Sequence, residues 1–145
     1  MAKIRRTITA RIPGYQKERY EWRRKILRSV REAQAERAVQ YDPDSRFEVI
    51  VLLYLRKGKR HDIHDVDNRL KDILDALQGR FGGLKSARSK TRLFDNDAQV
   101  SRVVIEKQPI PKNLDDDAGG RIMIRAYEPS RWPLQRTKGR SFRKP

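Results

Sequence analysis

Five aspartates and a lysine fall within residues 61–78, HDIHDVDNRLKDILDALQ. The chain around them carries a formal net charge of +16, so this knot of carboxylates calls for a reason. Asp65 and Asp67 flank one position at the end of a loop, and Asp97 comes just ahead of a strand. Carboxylates of this kind suit Mg²⁺, a hard ion that takes oxygen ligands, keeps several waters and needs few acidic side chains. Phosphodiester hydrolysis commonly uses two such ions about 3.5–4 Å apart, one activating water and one stabilising the leaving oxygen. Lys71, one helical turn beyond Asp67, is spaced to reach a scissile phosphate and stabilise the charge that grows there. Each residue also has a plainer role. Asp65 can cap a helix, and Asp67 and Lys71 can form a solvated i, i+4 ion pair. His61 and His64 are further candidates, better suited to a surface or supporting place than to ligating a hard cation.

Elements must hold these groups in place. Val66, Leu70, Ile73, Leu74 and Leu77 recur at helical spacing and predict an amphipathic helix with a core-facing stripe. Gly79 is its stop signal. Asp67, Lys71 and Asp75, at i, i+4 and i+8, line a neighbouring face. Upstream, RFEVIVLLYL (46–55) is nearly continuous in apolar residues and predicts a strand buried on both faces, central in a sheet. If the strand after Asp97 lies near it, Asp65, Asp67 and Asp97 converge on one pocket. Two basic stretches flank the cluster. Arg56, Lys57, Lys59 and Arg60 form a loop running into the helix. Lys85, Arg88, Lys90 and Arg92 belong to the Gly- and Lys/Arg-rich connection 79–94, expected to be a mobile loop: a linker, or an arm that closes on nucleic acid.

The remaining segments complete one domain. Residues 4–12 alternate as a strand, with Ile4, Ile8, Ala10 and Ile12 on one face. Residues 15–39 form a long helix with the stripe Trp22, Ile26, Val30 and Ala33, broadened by Leu27. Its basic side, including Arg19, Arg23, Arg24, Lys25, Arg28 and Arg31, is either solvated or turned to phosphates. Strands over 99–106 and 120–127 are expected to pair antiparallel. The Asp115-Asp116-Asp117 run between them reads as a solvated turn. The order β-α-β-α-β-β predicts an α+β (or α/β) fold with a mixed sheet of about four strands and two main helices. The domain spans 1–128, and 129–145, which holds no acid, makes a basic tail expected to be disordered.

Composition sets the class of partner. Lys and Arg number 35 against 19 Asp and Glu, and the isoelectric point is about 10.7. An anionic partner, nucleic acid above all, follows from that balance. No apolar run approaches the ~20 residues needed to span a bilayer. There are no cysteines, which removes disulfides and thiolate metal sites and fits a reducing cytoplasm. Nothing reads as a signal peptide.

Together Asp65-Val66-Asp67-Asn68-Arg69-Leu70-Lys71-Asp72-Ile73-Leu74-Asp75-Ala76-Leu77 and Asn96-Asp97-Ala98-Gln99-Val100 resemble the RusA family of Holliday junction resolvases. The family pattern is D-x-D-N-x-x-K-x-x-x-D-A-L followed by D-D-x-Q-[VI] at a strand. Gly119-Gly120-Arg121 before Ile122 is similar more loosely. The resemblance implies a small homodimer that nicks four-way DNA junctions in symmetric pairs, in recombination and repair, with Mg²⁺ or Mn²⁺ as a substitute. It also implies a cytoplasmic setting, in a bacterial nucleoid or from a phage gene. By the same resemblance Asp65, Asp67 and Asp97 are metal ligands, Lys71 is the catalytic lysine, and Asn68 and Asp75 are supporting; Asp95, grouped with them, either substitutes for the pair's missing acid or only caps. The chain departs from the pattern in three ways. Asn96 stands where the family has the first acid of its pair, with Asp95 one residue upstream. The connection from Leu77 to Asp97 is long and basic. The Arg-rich N-terminal helix does not show the family's opening pattern. Two other readings stay open: a nuclease for flaps or forks, and a basic nucleic-acid-binding protein that does not cut.

Overall fold

The computed structural model describes residues 7–15, 18–55, 65–82, 88–115 and 117–129. In order they form β1 (Thr7–Pro13), α1 (Arg19–Arg37), β2 (Phe47–Leu55), α2 (Val66–Leu77), a single 3-10 turn (Asp97–Gln99), β3 (Val100–Pro109) and β4 (Ala118–Ala126). The four strands make one mixed sheet in the order β1-β4-β2-β3. The expected mixed α+β domain is what the chain adopts.

The apolar run of β2 does take an interior place. It pairs with β3 in parallel and with β4 in antiparallel register, so both of its backbone edges are hydrogen-bonded. The expected antiparallel pairing of the last two strands is not formed. β2 lies between them, and β4 pairs instead with β1 and β2. The reason is visible in the connection. Ile110 N–H donates to Leu55 O (2.9 Å), and Asp117 O accepts from Gly14 N–H (2.6 Å). The segment after β3 therefore steps over the end of β2 and returns on its far side.

Both helices cover the same face of the sheet. Trp22, Ile26 and Val30 of α1 and Ile73, Ala76 and Leu77 of α2 share one cluster with the inward residues of β1, β2 and β4. The other face of β2 has no helix over it among the described residues, and Ile50 and Leu52 there are half-buried. On that face Glu48 is held between Arg102 and Arg125, its in-register neighbours on β3 and β4.

α1 is shorter than the periodicity predicts. It begins after Glu18, whose carboxylate accepts from Tyr20 N–H (3.3 Å), and ends at Ala38 in the left-handed conformation. Trp22 belongs to the core, as expected. Its indole donates to Pro13 O (2.8 Å), and Tyr15 meets it edge-on at 5.0 Å. No described helix is long and apolar enough to cross a membrane.

The two glycines before Ile122 have a packing role. A Cβ on Gly119 would stand 2.1 Å from Pro13 O, and one on Gly120 would stand 2.0 Å from Leu52 O. At these two positions β4 runs so close to its neighbours that there is no room for a side chain. Gly120→Ala is expected to cost about 1–3 kcal/mol by overpacking, read as a lowered Tm.

Candidate active site

Asp65 caps α2. Its Oδ1 accepts from Asp67 N–H at 3.0 Å, satisfying one of the free donors of the first turn. Beyond the cap, Asp67, Asn68 and Lys71 are exposed along the outer side of the helix. Asp75 is half-buried and lies 3.3 Å from Arg23. The buried arc of α2 is rotated from the predicted stripe. It runs through Arg69, Asp72, Ile73, Ala76 and Leu77, while Val66, Leu70 and Leu74 are half-buried.

That rotation exposes what pattern reading missed. Asp72 is completely buried. Its Oδ1 accepts from Arg19 Nε (3.2 Å) and Nη2 (3.1 Å) and from Arg23 Nε (3.0 Å) and Nη2 (2.8 Å). Its Oδ2 accepts from Arg69 Nη1 (2.9 Å), and the Arg69 guanidinium lies 3.9 Å from the Tyr15 ring centroid. Arg23, grouped by sequence with a basic outer side, is 5% exposed. Hydrogen bonding to Asp72, then its Coulombic attraction, raises the Arg19 pKa above its ordinary value. The cluster clamps α2 onto α1 and so fixes the helix that carries Asp67 and Lys71. One signal could have found it. Asp72 sits on the same arc as Ile73, Ala76 and Leu77, and a carboxylate there must be paired.

Asp97 belongs to the opposite end of the sheet. Leu93 and Phe94 N–H both donate to Leu77 O at the end of α2 (2.8 and 3.4 Å). The Phe94 ring stacks on Phe47, at the start of β2, with centroids 5.2 Å apart. Asn96 then caps the 3-10 turn, its Oδ1 accepting from Ala98 N–H at 2.8 Å. Asp95 pairs with Arg92 at 2.6 Å. Gln99 donates to Pro43 O and Ser45 O, both at 3.1 Å, tying the turn to the segment before β2. Asn96 and Asp95 thus have local work here, and Asp97 is exposed beside them.

The geometry does not gather the three aspartates within one chain. Arg69 packs on Tyr15, just past Pro13, and Pro13 and Leu53 both register with the first residues of β4. The start of α2 is therefore at the finishing end of β2. Because β3 runs parallel to β2, Asp97 lies at its starting end. The twelve residues of α2 separate the two ends by roughly 17 Å at helical rise. Among the described residues no three acidic or imidazole groups assemble to hold a metal ion. The expected convergence on a single pocket fails because β2, α2 and β3 form a parallel crossover. The donor chemistry of Asp65, Asp67 and Asp97 fits a hard cation, but one chain's arrangement of them does not.

The basic residues divide similarly. Arg56, Lys57, Lys59, Arg60, His61, His64 and Lys85, like the tail from 130 on, lie outside the described residues. Arg88 donates to Asp95 O. Lys90 and Arg92 line a cavity of about 280 Å³ with Tyr41, Phe94, Asp95 and Gln99. The connection expected to be mobile is pinned in its described parts. Ser89 N–H donates to Gly79 O (2.9 Å) and Arg80 N–H to Asp75 O (2.8 Å). Gly79, the stop signal of α2, has φ +75°, and a Cβ there would meet Ser89 N at 2.9 Å. Its missing side chain lets the strap 88–94 dock on the end of α2. No protein-family model and no curated protein matches this chain.

Proposed function

We propose that the protein is a divalent-cation-dependent endonuclease of branched DNA, four-way junctions foremost. It acts as a homodimer whose two active sites are each shared between protomers. The carrying observation is the exposure of Asp67 and Lys71 on the outer side of α2. Arg23 and Arg69 are meanwhile drawn inward by Asp72, and Arg19 pairs with it from the surface. In a chain of +16, carboxylates left facing solvent oppose a phosphate backbone unless a cation stands between them. Mg²⁺, when bound, would polarise the scissile phosphate and lower the pKa of an attacking water. Lys71 would stabilise charge growing on that phosphate. Asp65 would cap and orient the helix as well as donate. The distance from Asp65 and Asp67 to Asp97 within a chain supports a shared site. A two-fold dimer can set the α2 start of one protomer against Asp97 of the other, and two related sites suit paired nicks.

The test is cleavage of a synthetic four-way junction beside linear duplex, single-strand and flap controls, with Mg²⁺ and with chelator. Paired nicks on the junction alone, lost with chelator, are the expected result. Cutting of flaps as well would keep the chemistry and widen the substrate. Tight binding without cutting under any divalent cation would overturn the enzyme. That second reading, a junction-binding protein, draws on Asn96 and Asp95 being engaged in a cap and an ion pair.

A further inference from the structure

α1 carries a basic ridge that the proposed chemistry does not use. Arg24, Arg28 and Arg31 stand at i, i+4 and i+7, all exposed, so they form one line along the helix. They border a groove of about 520 Å³ between α1 and the strap, walled on the far side by Phe81, Ser89 and Thr91. Leu27, which is buried, also lines the groove. The Arg24 guanidinium lies 5.3 Å from the Phe81 ring centroid. The far wall is held in place. Ser89 Oγ and Thr91 Oγ1 are 2.7 Å apart, Thr91 N–H donates to Ser89 Oγ, and Ser89 N–H is bonded to Gly79 O.

Ser89 and Thr91 line this groove, whereas Lys90 and Arg92, alternating with them, line the cavity on the strap's other side. That second cavity includes Asp95 and Gln99 of the segment that holds Asp97. Acidic groups also lie near the ridge. Glu32 lines the groove, and Glu21 pairs with Arg24 at the exposed surface.

We infer that this groove is a nucleic-acid backbone track: Arg24, Arg28 and Arg31 take successive phosphates of one DNA strand, which crosses the strap toward Asp97. Spacing supports this occupant. Arg24 to Arg31 covers roughly 10 Å at helical rise, and side chains as long as arginine's can spread from that line to consecutive phosphates of one strand. Phe81 supplies an apolar wall for sugar and base, which an acidic peptide does not require. The track rests on the proposed DNA substrate but not on cleavage, so the two are tested apart.

The experiment measures binding of the full chain to a labelled four-way junction and to duplex DNA by anisotropy, in chelator, across a salt series. The variants are Arg24→Gln/Arg28→Gln/Arg31→Gln and the matching triple Lys. The triple Gln protein is expected to lose about tenfold or more in affinity and to flatten the log–log salt slope by about 2–3. The triple Lys protein, which keeps the charges, is expected to retain the slope. Melting curves of both variants, overlaid on wild type, separate lost contacts from lost fold. If the triple Gln protein unfolds, the single Arg28→Gln variant is read instead, with a slope change of about 0.9 expected. Unchanged affinity and slope in a folded variant overturn the track, even if the wild type cuts junctions. Loss of slope in a protein that never cuts upholds the track and removes the nuclease. Preference for anionic vesicles or polyglutamate over DNA overturns it in favour of another partner.

Discussion

Asp67→Asn and Asp97→Asn proteins are each expected to be inactive on a junction, and an equal mixture of the two to regain activity. In a shared site, Asp67 comes from one protomer and Asp97 from the other. A mixed dimer then holds one site with both aspartates intact and one with neither. Random reassortment makes about half the dimers mixed, so about a quarter of the wild-type sites return. Those dimers should nick one strand rather than two. The measurement is junction cleavage after co-incubation or co-expression, with nicked and fully resolved products separated on native and denaturing gels. If each site were built within one chain, no mixture would contain an intact site and nothing would return. The prediction follows from the parallel crossover, which puts Asp65 and Asp67 at one end of β2 and Asp97 at the other. Asn keeps the size and the capping ability of Asp, so neither variant should disturb the fold.

Asp72→Ala is expected to be the most destabilising single change in the α1–α2 interface. The carboxylate is fully buried and takes hydrogen bonds from Arg19, Arg23 and Arg69. Removing it leaves those guanidiniums facing one another, with Asp75 still close to Arg23. Breaking a buried pair on one side typically costs about 3–5 kcal/mol. For a domain of this size that corresponds to a fall in Tm of roughly 10–20 °C. Asp72→Asn keeps an acceptor and should lose less. Pairing it with Arg23→Gln should cost less than the two changes added, because both act on one cluster. Calorimetric melts of the four proteins check this. Additive losses would mean that Asp72 and Arg23 do not act as a unit. Lys71 neighbours Asp72 on the same helix, so a folded Asp72→Asn protein should also show lower kcat at unchanged DNA affinity.

Much of the fold was legible because hydrophobic period is a local property. The alternation of β1, the Trp22–Ile26–Val30 stripe of α1 and the nearly continuous apolar run of β2 each require only neighbours in sequence to be read. The cap at Asp65 and the stop at Gly79 were legible for the same reason: both answer to the free backbone groups of one helix. Strand order was not. Nothing local says that the segment after β3 crosses the end of β2, and the sheet places β2 between two strands that a sequence reader would pair.

For the candidate site the division is sharper. The sequence by itself determined which groups are present: hard oxygen donors and a lysine at a helix start, a further aspartate before a strand, and an excess of positive charge that favours a polyanion. Only the tertiary structure decided which of these meet. It turned α2 so that Asp72, one of five similar-looking aspartates, became the buried anchor of three arginines, leaving Asp67 and Lys71 outside. It ran β3 parallel to β2, which carried Asp97 a helix length away from them. Both outcomes depend on packing between segments distant in sequence, where the burial of one face and the pairing of one charge outweigh any local preference.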